Sequence, residues 1–156
     1  MTEHLFFPMY VDISNMKIVM FGAGSIAARR AVTLLCFTDQ LTIVAPEATE
    51  EIKSFAKQGK IIWMKDVYRE EYLQDADIVF GATDDRACNQ KIADDCNRLR
   101  IPVNICDEKE RCDFQFPAVV VKDDVVIGVN AGGRDHRKVK ETRIKIEEML
   151  KQEENA

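Results

Sequence analysis

Lys17-Ile18-Val19-Met20-Phe21-Gly22-Ala23-Gly24-Ser25-Ile26-Ala27 is the stretch on which the fold turns. A short apolar run enters a glycine turn, and a helical pattern leaves it. Gly22 permits the tight turn. Gly24 lets backbone approach a diphosphate with no side chain in the way, and Ala27 keeps the new helix close to the strand. The helix N-terminus offers unpaired N–H groups and the positive end of its dipole to phosphate. A bare G-x-G is common, but a strand before it and a helix after it are not accidental company.

Working outward, the spacing predicts strands over 16–21, 41–45, 60–65, 77–82 and 102–106. Helices are expected over 25–37, 49–58 and 86–99, with a single helical turn over 69–73. Pro46 stops the second strand, and Gly59 closes the second helix as its C′ residue. Thr83, Asp84 or Asp85 can cap the third helix. Continuous apolar strands separated by helices imply a parallel sheet covered on both faces. The expected class is α/β, a Rossmann-like doubly wound sheet. Residues 116–121 and 125–130 are β-rich and separated by Lys122-Asp123-Asp124, as in a hairpin. After Ala131-Gly132-Gly133, a charged helix is expected over 136–152, with Val139, Ile144, Ile146, Met149 and Leu150 as its apolar stripe. Residues 153–156 are expected to fray. The expected organisation is a dinucleotide-binding domain over 1–115 and a hairpin-plus-helix extension over 116–156, whose strand edges suit dimerisation.

At 156 residues and 46% hydrophobic, the chain can bury one sizeable core, which excludes a disordered protein. A net charge of −5 argues against non-specific nucleic-acid binding. No apolar run reaches the ~18 residues of a membrane span. Met1-Thr2-Glu3-His4 lacks the basic start of a secretory signal, so a cytoplasmic location is expected. The five cysteines, Cys36, Cys88, Cys96, Cys106 and Cys112, include no C-x-x-C pair. They read as small buried hydrophobes in a reducing compartment, with a redox or ligand role for Cys106 and Cys112 as the alternative. The two histidines, His4 and His136, are far apart, so no dedicated metal site is expected.

A dinucleotide fold usually ends its second strand in an acid that binds ribose hydroxyls. Here that strand ends Val44-Ala45-Pro46-Glu47. Glu47 either reaches a ribose or starts the second helix. No arginine stands there to favour a 2′-phosphate, so NAD is expected over NADP. The fourth strand ends Gly81-Ala82-Thr83-Asp84-Asp85. Small Ala82 and hydrogen-bonding Thr83 suit a ribose or nicotinamide edge, and equally suit a plain helix cap.

Several segments together carry a resemblance. They are Phe7-Pro8 with Asp12, Gly22-Ala23-Gly24-Ser25-Ile26-Ala27-Ala28-Arg29-Arg30, Val44-Ala45-Pro46-Glu47 and Ala82-Thr83-Asp84-Asp85. Val103-Asn104-Ile105-Cys106-Asp107 and Cys112-Asp113-Phe114-Gln115-Phe116-Pro117-Ala118 complete the set and are its specific part. In this order they resemble precorrin-2 dehydrogenase, the domain that also forms the N-terminal part of bifunctional siroheme synthases. The resemblance implies NAD-dependent oxidation of precorrin-2 to sirohydrochlorin in sirohaem biosynthesis; some family members also insert iron. It implies a catalytic aspartate at Asp107 and cofactor contacts at Gly22, Gly24, Ser25, Ile26, Pro46, Glu47, Ala82, Thr83 and Asp84.

Elementary chemistry meets that implication partway. The oxidation removes a hydride and a proton, and the proton needs a base. Asp107 lies just past the fifth strand, on the ligand edge of the sheet, and shielding from water strengthens a carboxylate as a base. The plainer reading is a loop-capping aspartate. A tetrapyrrole carries many carboxylates, so basic Arg134, His136, Arg137 and Lys138, with Asn104, are the candidate substrate-binding residues. The alternative is a solvated helix face laced with Glu141, Glu147 and Glu148. Where family members follow the glycine pair with Ser-Pro, this chain has Arg134-Asp135-His136, and it stops after one helix where they continue. Expected partners are a tetrapyrrole substrate, a second copy in a homodimer and another tetrapyrrole-pathway enzyme. Two other readings stand beside the enzyme: a non-catalytic NAD- or tetrapyrrole-binding module, and a nucleotide-sensing regulatory domain.

Overall fold

The computed structural model describes residues 5–153. It forms two compact units, residues 11–114 in one and residues 5–10 with 115–153 in the other. His4 and the expected fraying of residues 154–156 lie outside the described residues.

The larger unit runs β1 (Ile18–Phe21), α1 (Ser25–Leu34), β2 (Leu41–Val44), α2 (Glu50–Lys57), β3 (Ile62–Met64), a 3-10 turn (Glu70–Leu73), β4 (Ile78–Gly81), α3 (Arg86–Leu99), β5 (Val103–Ile105) and a second 3-10 turn (Lys109–Arg111). The five strands lie in the order β3-β2-β1-β4-β5, all parallel. Phe21 is level with Val44 on one side and Gly81 on the other, and Gly81 is level with Ile105. Four strands therefore finish at one edge. The chain leaves β1 for β2 on one side and later returns for β4 on the other. The switch point between β1 and β4 is where an open parallel sheet leaves a crevice for ligand.

The apolar runs became strands because both sheet faces are covered. Ile18, Met20, Phe21, Leu41, Ile43, Val79, Phe80 and Val103 are buried. Each such side chain contributes about 1.5–3 kcal/mol by leaving water. Helix α1 meets the sheet through Ala27, Ala28, Ala31 and Leu34, whose small side chains allow close approach.

The strands are shorter than the apolar runs, yet their ladders continue into the loops. Ala45 N–H donates to Met64 O (3.1 Å), Ala82 N–H to Phe21 O (2.8 Å) and Cys106 N–H to Gly81 O (2.9 Å). Helix α1 ends at Leu34 rather than at 37, because Cys36 N–H and Phe37 N–H bond only three residues back, to Thr33 O (3.2 Å) and Leu34 O (2.8 Å). Cys36 falls in that turn and is exposed, which corrects the expectation of a buried thiol; of the five cysteines only Cys96 is fully buried. Asp85 is the cap of α3, its Oδ1 accepting from Ala87 N–H (2.9 Å) and Cys88 N–H (3.2 Å).

In the smaller unit, β6 (Ala118–Lys122) and β7 (Val125–Val129) pair antiparallel with Lys122 opposite Val125. The two-residue turn is closed by Asp123 at φ +51°. Helix α4 (His136–Glu153) lies on this hairpin. Asp135 caps it, accepting from Lys138 N–H (2.8 Å). Val139, Ile144, Ile146 and Leu150 are half-buried. Met149, expected on the same stripe, is exposed. The Tyr10 hydroxyl donates to Val126 O (3.1 Å), which ties the N-terminal segment to the hairpin.

Candidate active site

The loops at the switch point touch. Gly22 sits at φ +100°, and a Cβ there would lie 2.2 Å from Ala82 O and 2.5 Å from its carbonyl carbon. Only glycine lets the turns after β1 and β4 come this close. Gly24 opens α1 with extended backbone (φ −80°, ψ −166°) and no side-chain cap. The first N–H groups of a helix have no intrahelical partner. A Cβ on Gly24 would meet nothing within 4 Å. Backbone donors facing open space, with Ser25 and Ile26 exposed beside them, fit the diphosphate of a dinucleotide. Thr49 N–H donates to Ala23 O (3.0 Å) and pins the neighbouring loop to this cradle.

Pro46 and Glu47 are exposed in that loop. Helix α2 starts at Glu50, with the Thr49 hydroxyl accepting from Ile52 N–H (3.4 Å). Glu47 therefore does not start the helix. Beside it, Trp63 Nε1–H donates to Ala45 O (3.0 Å).

Beyond β4, Ala82 and Thr83 are half-buried and Asp84 is exposed. Thr83 is gripped by Asn89 of α3, which is only 1% exposed. Asn89 Oδ1 accepts from Thr83 N–H (3.1 Å) and from the Thr83 hydroxyl (2.7 Å). Asn89 Nδ2 donates to Thr83 O (3.0 Å) and to Asp107 Oδ1 (2.9 Å). Asp107 itself is exposed, two residues past the end of β5. The sequence reading missed Asn89. Its signal was there: Asn89, Ile92, Ala93 and Cys96 share one buried face of α3, and a polar residue on an apolar stripe needs partners.

Asn104 is also buried, and both ends of its amide are engaged inside the unit. Its Oδ1 accepts from Arg30 Nη1 (2.5 Å) and its Nδ2 donates to Phe114 O (2.8 Å). The Arg30 guanidinium lies 5.5 Å over the Phe80 ring, which meets Phe114 edge-on at 5.6 Å. Burial pulls Arg30 below its ordinary value, and Cys106 and Cys112 nearby offset part of that. Burial also pushes the thiols of Cys106, Cys112 and Cys88 up, which keeps them neutral and poorly nucleophilic.

Arg134, His136, Arg137 and Lys138 are exposed at the start of α4, in the smaller unit. Arg137 pairs with Glu141 (2.8 Å) and Arg143 with Glu147. Among the described residues, no group of three or more His, Cys, Asp or Glu is placed to hold a metal ion. No helix among them is long and apolar enough to cross a membrane.

Comparison with known proteins extends this picture. A family described as "Putative NAD(P)-binding" matches residues 9–118. The chain is similar to a siroheme synthase of Nitrosospira multiformis, at 36% identity over 149 residues, covering 93% of this chain and 32% of that protein. It is similar to a siroheme synthase of a Psychrobacter strain at 32% identity over 146 residues, covering 94% and 30% respectively. The chain thus spans less than a third of the length of either curated relative. Among solved structures, SirC, a precorrin-2 dehydrogenase, shares the fold with a TM-score of 0.77 at 21% identity, over 90% of this chain and 69% of that one.

Proposed function

The chain belongs to the NAD(P)-binding family, and on that premise we propose that it oxidises precorrin-2 to sirohydrochlorin with NAD, in the cytoplasm, as a step of sirohaem synthesis. One observation carries the reading. At a single edge of the sheet, β1 ends in a glycine turn with open space at Gly24, β4 in a threonine turn and β5 in a carboxylate, with the last two joined through Asn89. Likeness to siroheme synthases supports the substrate class.

Gly22, Gly24, Ser25 and Ile26 would seat the diphosphate, Pro46 and Glu47 the adenosine ribose, and Ala82, Thr83 and Asp84 the nicotinamide side. NAD, when bound, supplies the hydride acceptor. The oxidation breaks one C–H bond as hydride and releases one proton. Asp107 is the base for that proton. Its Oδ1 is held by Asn89, which leaves Oδ2 to take the proton. Arg134, His136, Arg137 and Lys138 attract the substrate's carboxylates by charge, and Asn104, within the larger unit, fixes Arg30 and Phe114. The hairpin and α4 are the dimerisation segment, since among the described residues no third strand joins the two-stranded ribbon.

The test is incubation of the purified chain with precorrin-2 and NAD under anaerobic conditions. Formation of NADH together with sirohydrochlorin supports the enzyme. NAD binding without NADH formation would move the reading to a non-catalytic module. Light scattering at micromolar concentration tests the dimer, and a monomer there would refute it.

A further inference from the structure

We propose that Asn89 is a positioning residue that couples the cofactor-side turn after β4 to the carboxylate of Asp107. The inference rests on the dehydrogenase reading for its catalytic consequence, and on geometry alone for the coupling itself.

The orientation of the Asn89 amide follows from its partners. Thr83 N–H can only donate and Thr83 C=O can only accept, and both lie within hydrogen-bond distance of the Asn89 side chain (3.1 and 3.0 Å). Oδ1 must therefore face the N–H, and Nδ2 must face the carbonyl. The second proton of Nδ2 is then fixed toward Asp107 Oδ1 at 2.9 Å. The side chain acts like one rung of a β-ladder against Thr83 and spends its remaining donor on the carboxylate. The Thr83 hydroxyl lies within donating distance of Asn89 Oδ1 (2.7 Å) and of Asp85 O (3.0 Å).

Asn89 is rigid for reasons independent of any ligand. It is buried on α3, between Cys88 and Ile92 on a helix whose start is capped by Asp85. A buried donor fixed by three other bonds does not swing. Asp107, at the exposed end of β5, has no such anchorage of its own, since the segment after Ile105 is a turn. The helix thus aims a loop carboxylate from the same amide that holds the Thr83 backbone. No charged group is needed for this, and a carboxamide suits it because it carries a donor and an acceptor at fixed separation. Aspartate at this position would set a second carboxylate against Asp107 and lose both donations.

Two arms test the proposal on the full chain. The first reads geometry without turnover, by NMR of the 15N-labelled protein. Asp107→Ala should shift one of the two Asn89 side-chain amide protons and leave the Thr83 backbone amide in place. No movement of either Asn89 proton would overturn the coupling. The second arm is a double-mutant cycle on turnover. Asn89→Ala should lower kcat roughly 100-fold, the cost of misplacing a reacting group by about 1 Å. In the Asp107→Ala background the same change should cost less than about threefold, because the group it positions is already gone. Equal losses in both backgrounds would mean a merely structural role and would refute the proposal. If Asn89→Ala does not fold, Asn89→Ser, which sets no charge beside Asp107, takes its place in the cycle. A wild-type chain that binds NAD without oxidising precorrin-2 would sink the dehydrogenase reading, while the NMR arm would still decide the coupling.

Discussion

Alanine at Gly22 and alanine at Gly24 should fail in different ways. At Gly22 the backbone sits at φ +100°, where a side chain adds about 1–3 kcal/mol of strain. The new methyl would also lie 2.2 Å from Ala82 O and 2.8 Å from Thr83 N, so backbone must move, at about 1–3 kcal/mol more. The sum, roughly 2–6 kcal/mol, is a large share of the roughly 5–15 kcal/mol that holds a domain together. At Gly24 the backbone is ordinary and the methyl would touch nothing within 4 Å. The folded chain should lose about 1 kcal/mol or less, the cost of alanine at a helix cap. That methyl would nevertheless occupy space a diphosphate needs. Losing one charge-assisted hydrogen bond costs about 1.5–3 kcal/mol, or roughly 10- to 150-fold in affinity. Urea unfolding measures the first quantity. NAD titration followed by the fluorescence of Trp63, the single tryptophan, measures the second, since its indole N–H sits on the end of β2. A Gly24→Ala chain that is stable and binds NAD as tightly as the wild type would refute the cradle.

Asp107→Asn should cut precorrin-2 turnover at least 100-fold, within the usual range for removing a general base, and leave NAD affinity within about threefold; full activity would remove its role. Asp95 yields a pH prediction. Burial raises its carboxyl, but hydrogen bonds from Lys91, Tyr68 and Arg98 outweigh that and hold it below the ordinary carboxylate value. Its contribution is therefore present above about pH 4 and lost as pH falls through the lowered value. Asp95→Asn should be destabilised by on the order of 1 kcal/mol at pH 7, and that difference should shrink in acid-unfolding curves below about pH 4. Thiol labelling of the native chain should modify exposed Cys36 first. Cys96, whose thiol burial pushes up to about 12, should react only on unfolding; early labelling of Cys96 in a mass-spectrometric time course would contradict the packing around α3.

The sheet was legible because its strands are buried on both faces, and continuous apolar runs between helices have few other solutions. Boundaries were less so. Helix α1 is three residues shorter than its apolar pattern, because Leu35, Cys36 and Phe37 continue an apolar look while the N–H groups of Cys36 and Phe37 already bond three residues back. The 3-10 turn Lys109–Arg111 carried no periodic signal at all. At the site, Gly22 was legible because its φ of +100° and its approach to Ala82 admit no side chain. Asn89 escaped because its role lies in tertiary partners from two loops, Thr83 and Asp107, that only the folded sheet brings together. The burial of Asn104, a candidate substrate-binding residue, against Arg30 and Phe114 has no signal in local sequence.

A calorimetric titration of NAD and NADH into the folded chain weighs the whole assignment most directly. One dinucleotide bound per chain, weakened by Gly24→Ala and spared by Asp107→Asn, is the expected result. A folded chain that takes up neither redox form would contradict it.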